Sequence, residues 1–137
     1  MSDPDLILKK LARIDACSKS LRLQARADDL ERDEQHRAFV EHTLQIAIQA
    51  AIDAGAHVVA DENLGEPRTS REVFTLLGRA GWIEANAARS LERMVGFRNV
   101  LVHDYEEVDL AVVRQALAEG LEDLESFART LRARIRR

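Results

Sequence analysis

Cysteine, proline and aromatic side chains are scarce in this sequence of 137 residues. With a single cysteine, Cys17, no intramolecular disulfide can form, which points to a reducing compartment and to a thiol packed as a small apolar side chain. Only two prolines and six glycines interrupt the chain, so long helices meet few breakers. Aromatics amount to 4%, too few for a platform on which RNA bases stack. No uninterrupted run of about eighteen apolar residues is available to span a membrane. The N-terminus reads Ser2-Asp3-Pro4 rather than a basic signal region, so a cytoplasmic chain without membrane contact is expected. An excess of positive charge is missing too. Twenty Lys and Arg against 24 Asp and Glu give a net charge of -4, which excludes coating nucleic acid by bulk electrostatics but not a local cationic cleft.

Signatures of metal and nucleophilic chemistry are equally absent. His36 and His42 are six apart, His57 is remote, and none pairs with a carboxylate at metal-ligand spacing. There is no glycine-rich phosphate loop, no serine nucleophile elbow, and no base local to the cysteine. Asp28, Asp29, Asp33 and Glu34 read as a solvated face rather than a magnesium site. Neither a metal nor a cofactor is expected.

What is present is helical. At 46% hydrophobic and 32% charged residues the chain has a globular balance, and 1–137 reads as one domain. Asp3 and Pro4 start a helix in which Ile7, Leu11, Ile14 and Leu21 recur at helical spacing to about residue 26. After the polar run 28–34, either a connection or a solvated helix start, Phe39, Val40, Leu44, Ala47, Ile48, Ala51 and Val58 define a long second helix whose small residues suit close packing. Asn63, Gly65 and Pro67 mark a loop. Thr69 with Glu72 forms a capping box for a short third helix, and a fourth runs from about Glu84 to His103. Asp109 caps a fifth, through Val113, Leu117, Leu121, Leu124, Ala128 and Leu131. No strand pattern occurs. The pattern predicts an all-α bundle of four main, near-antiparallel helices plus a short one. The C-terminal Arg129, Arg132, Arg134, Arg136 and Arg137 read either as a phosphate-steering tail or, preferred here, as complements to the negative end of the last helix.

The chemistry concentrates in the stretch Met94 to Tyr105. At about 100° per residue, Leu91, Val95, Arg98 and Val102 fall within about 60° of one another, so Arg98 lies inside an apolar stripe. An unpartnered buried guanidinium costs on the order of several kcal/mol, so Arg98 must face a carboxylate, a pocket or a wet subunit boundary. Asn99 and His103, four apart, share a helix face on which the amide can fix the imidazole tautomer. Arg98 and His103 diverge by about 140° and cannot converge on one phosphate within an unbroken helix. Either the chain turns after His103 or two copies of the segment meet across a dimer.

Arg98-Asn99-Val100-Leu101-Val102-His103, an arginine, four spacers and a histidine, resembles the signature of HEPN-domain ribonucleases. Continuation to Tyr105 makes the chain similar to the HepT toxins. The run Leu91 to Phe97, the helix carrying Glu72, Val73, Phe74, Leu76 and Leu77, and the helix spacing extend the likeness over nearly the whole chain. The resemblance implies a HEPN-like bundle, RNA as substrate, and a minimal nucleotidyltransferase antitoxin, MntA, as partner. It also implies that Tyr105 is where adenylyl groups are attached; by itself Tyr105 reads as an amphipathic ring covering the bundle end.

One group titrating near neutrality, one permanent cation and one amide suit cleavage of RNA by its own 2′-hydroxyl, which requires proton transfer and charge stabilisation but no metal. In this reading His103 is general acid or base, Arg98 grips the scissile phosphate, and Asn99 orients His103 or the phosphate. Since one protomer offers one suitable histidine, a homodimer with its site at the interface is expected. The rival reading is a non-catalytic dimeric helical module that binds a nucleotidyltransferase, its motif serving only as a polar interface.

Overall fold

Ile7, Leu11, Ile14, Ser18 and Leu21 recur every three or four residues, and all five are buried. They form the inner face of α1 (Pro4–Gln24) in the computed structural model, which describes residues 4–103 and 110–135 and, of residues 100–103, the backbone alone. A short 3₁₀ turn, Ala27–Asp29, follows, and the polar run resolves there into a connection. Asp33 then caps α2 (Glu34–Asp61), its carboxylate accepting the His36 backbone N–H at 3.1 Å. At the start of α3 (Ser70–Arg79), Thr69 Oγ1 accepts the Glu72 N–H at 3.3 Å as the capping box predicts, while the return bond falls one residue earlier, Glu72 Oε2 accepting the Arg68 N–H at 2.7 Å. Next come α4 (Ala85–His103), α5 (Leu110–Gln115) and α6 (Leu121–Ile135). No strand occurs among the described residues.

α2 is the axis of the bundle and packs against α1, α3, α4 and α6. By length and composition it is apolar enough to cross a membrane, yet 56% of its most apolar 18-residue window is buried inside the fold, as a core helix requires. Its small residues permit close approach, as their spacing predicts. A Cβ at Gly55 would lie 2.8 Å from Val73 Cγ1 and 3.1 Å from Leu77 Cδ1, so the glycine lets α3 settle on α2. Phe74 and Phe127 meet edge to face, with ring centroids 5.5 Å apart, in the larger of two apolar clusters. The smaller is built from Leu21, Leu30, Val40, Leu44, Val113 and Leu121. Phe97 of α4 packs against both.

One difference from the sequence reading lies in the last helix. The pattern predicts a single regular helix, whereas α5 passes into α6 through a π-helical turn, Ala116–Gly120. Val113, before the turn, and Leu121, after it, are both buried, and the wider turn accommodates one extra residue between them. It closes tightly at Gly120, where a Cβ would lie 2.9 Å from Met94 Cε. The expected N-cap of this helix, Asp109, lies outside the described residues.

Candidate active site on helix α4

The last three turns of α4 are fixed in rotation by their apolar side chains. Leu91 and Val95 are 1% exposed and Met94 is 8% exposed, so this side of the helix cannot turn to water without losing most of their buried area. Arg98 follows Leu91 and Val95 on the stripe, as the projection predicts, and is half-buried. Its Nε is inaccessible to solvent and has no hydrogen-bond partner among the described residues. An ordinary buried ion pair for Arg98 is likewise not met among them. Buried polar atoms are nearly always paired in folded proteins, so the orphaned guanidinium N–H singles Arg98 out as a donor whose acceptor is missing from the described residues. Asn99, next in sequence, is exposed. His103 is helical in backbone at the edge of the described residues, and the helical register puts its position about 140° round α4 from Arg98. Tyr105 lies outside the described residues.

A second cation reaches α4 from another helix. Arg71, on the first turn of α3, lays its guanidinium against Gly96: a Cβ there would sit 2.6 Å from Arg71 Nη2. Sequence reasoning passed over this residue. The available signal was Gly96 itself, a glycine inside an otherwise apolar helix, which commonly marks a close approach. One turn earlier, Thr75 Oγ1 donates a hydrogen bond to the Glu92 carboxylate and ties α3 to α4.

On the opposite flank, Ser90, Arg93, Met94 and Phe97 form one wall of a groove of about 250 Å³ whose other wall is the π turn with Val112 and Asp123. Burial pushes the Asp123 carboxyl above its usual range, with the nearby Arg93 opposing the shift.

Several of the remaining sequence candidates have structural partners. His36 is buried, and its Nε2 accepts the Arg26 backbone N–H at 2.9 Å, tying the 3₁₀ connection to α2. No cluster of three or more His, Cys, Asp or Glu that could hold a metal occurs among the described residues. Of the C-terminal arginines, Arg132 pairs with Asp15 at 2.7 Å. Arg134 stacks 3.9 Å over the Trp82 ring and donates to the Gly81 carbonyl. These two stitch α6 to the rest of the bundle, a more specific role than solvated complements of the helix end; Arg136 and Arg137 lie outside the described residues. Cys17 is half-buried, and desolvation raises its thiol pKa, as suits a packing role.

Comparison with known proteins agrees with this fold. The family model described as "Ribonuclease HepT-like" matches residues 7–131. The mRNA nuclease HepT of Shewanella oneidensis is 34% identical over 130 residues, 94% of this chain and 98% of the relative. The tRNA nuclease HepT of Aphanizomenon flos-aquae is 29% identical over 104 residues, 76% of this chain and 71% of the relative. Among solved structures, the tri-AMPylated Shewanella oneidensis HEPN toxin in complex with MNT antitoxin superposes with a TM-score of 0.87 at 34% identity, covering 97% of this chain and 99% of the toxin. A family model over nearly the whole chain, a relative of matching length, and the same fold around an arginine-bearing α4 establish that this chain belongs to the HepT-like ribonuclease family.

Proposed function

We propose that this chain is the toxin ribonuclease of a toxin–antitoxin pair, cutting RNA by internal attack at a site built from Arg98, Asn99 and His103 in a cytoplasmic homodimer. The observation that carries the reading is the buried, unpartnered Nε of Arg98 on α4, the helix whose described backbone includes His103. Relatives named as HepT nucleases, and a HEPN toxin bound to its MNT antitoxin, support the same activity and the same kind of partner.

The reaction uses no atom of the protein as nucleophile. A ribose 2′-hydroxyl attacks the adjacent phosphorus while its proton passes to a neutral imidazole. The bond from phosphorus to the 5′-oxygen breaks, and that oxygen takes a proton from a protonated imidazole, leaving a 2′,3′-cyclic phosphate and a 5′-hydroxyl. Arg98 stabilises the charge gathering on the non-bridging oxygens through a forked pair of N–H donors. Two proton-transfer groups are needed and each protomer offers one histidine in the motif, so His103 from both protomers serves a shared site. Asn99 orients the imidazole.

Control is exerted at Tyr105. A nucleotidyltransferase partner transfers AMP from ATP to the phenol oxygen, with pyrophosphate leaving. The added phosphodiester carries about one negative charge, which competes with RNA for Arg98, while the nucleoside obstructs entry.

One experiment tests the reading. The chain is incubated with RNA in excess EDTA, before and after treatment with such a partner and ATP. Cleavage that leaves 2′,3′-cyclic phosphate ends, and is lost as AMP masses appear on the wild type but not on Tyr105→Phe, is the expected result. Strict magnesium dependence with 5′-phosphate ends, or equal modification of Tyr105→Phe, would overturn it.

A further inference from the structure

We infer that Arg71 binds a backbone phosphate of the RNA beside the one that is cut, making α3 part of the substrate track. The inference rests on the ribonuclease reading and extends it to a residue outside the motif.

The register of α4 sets Gly96, Asn99 and His103 on one face, at i, i+3 and i+7, while Arg98 points about 200° from Gly96. The motif's own cation is therefore on the wrong side to hold the strand along the His103 face of the same protomer. Arg71 supplies one there: its Nη2 is 2.6 Å from the position of a Gly96 Cβ, close enough that a side chain at 96 would displace the guanidinium tip. Arg71 is exposed and forms no ion pair among the described residues. Glu92, one turn before Gly96 on the same face of α4, accepts a hydrogen bond from Thr75 rather than pairing with Arg71.

Local electrostatics do not account for the placement. Arg71 sits in the first turn of α3, where the helix dipole is positive and a cation is disfavoured; Glu72 in the same turn offsets part of that potential, its carboxylate turned back to the Arg68 N–H. Seven residues of α-helix rise about 10 Å, so a strand with its scissile phosphate at His103 passes a neighbouring phosphate within the reach of Arg71. Such a contact carries no base information. It sets register and adds to the salt dependence of binding.

The test compares wild type, Arg71→Ala, Arg71→Lys, Gly96→Ala and the Arg71→Ala/Gly96→Ala double variant. Binding is measured with a 2′-O-methyl oligoribonucleotide that cannot be cut, and turnover with the unmodified RNA. Arg71→Ala should weaken binding about tenfold or more, reduce the slope of log affinity against log salt by about 0.7, and raise KM while kcat at saturating RNA holds. Arg71→Lys should recover part of the loss. Gly96→Ala keeps both charges but displaces the guanidinium with its new methyl group, so it should mimic part of the Arg71→Ala defect and add nothing in the double variant.

Unchanged affinity and salt slope in Arg71→Ala would overturn the inference. So would a defect that appears only as altered dimerisation in sedimentation, or failure of wild type to bind the oligonucleotide at all. A wild type that binds with the Arg71 dependence but never cuts would overturn the ribonuclease reading and leave the phosphate contact standing.

Discussion

Two seams of this bundle use arginine in opposite ways. Between α1 and α6, Arg22 forks onto Glu125 with both N···O distances at 2.6 Å, buried Ser18 donates to the same carboxylate, and Arg132 reaches Asp15 at 2.7 Å. Each of these charges is answered within the fold. Along α4, Arg71 lies against a glycine with no ion pair among the described residues, and Arg98 buries an Nε with no acceptor among them. The first seam holds helices together; the second leaves both cations without an answering anion among the described residues. The two glycines of close approach divide the same way. Gly55 makes room for Val73 and Leu77, which cannot move without disturbing the core, whereas Gly96 makes room for the tip of a flexible arginine.

The sharpest way to break this comparison is Arg98→Ala. If Arg98 serves an external phosphate, cleavage should fall by about 100-fold or more while the melting temperature hardly moves, because the variant removes a guanidinium whose desolvation is uncompensated. A large loss of stability with cleavage intact would move Arg98 into the structural class.

A smaller effect is expected across the other seam. The hydrogen bond from Arg22, helped by Ser18, holds the Glu125 carboxyl below its ordinary pKa of 4.5. A carboxylate with a depressed folded pKa contributes stability that is fully present above its unfolded pKa and is lost as pH falls through the folded value. Glu125→Gln should therefore lower the melting temperature by about a few degrees at neutral pH, and the gap should close progressively below about pH 4.5, with cleavage unaffected throughout. A gap that does not vary with pH would show that the pairing does not stabilise this seam.

Much of this was legible in the sequence. The capping box at Thr69 and Glu72, the small-residue face of α2 and the stripe from Leu91 to Arg98 are local periodicities, and local backbone geometry realises them. Three features were hidden for one reason: each depends on contacts between helices distant in the chain. The π turn exists because Gly120 must pass Met94 while Val113 and Leu121 both face the core. Arg132 and Arg134 look like a basic tail until Asp15 and Trp82 are brought beside them. Arg71 reads as one exposed arginine among many until α3 sets it on Gly96.

The central claim is that the end of α4 is a proton-transfer site for RNA, and the rate of RNA cleavage by folded His103→Ala in excess EDTA tests it most directly. The account predicts a loss of at least about 100-fold, since positioned general acid–base catalysis contributes about 10²–10⁴ in rate, with helical content and melting unchanged. Wild-type cleavage rates from a folded His103→Ala protein would contradict it.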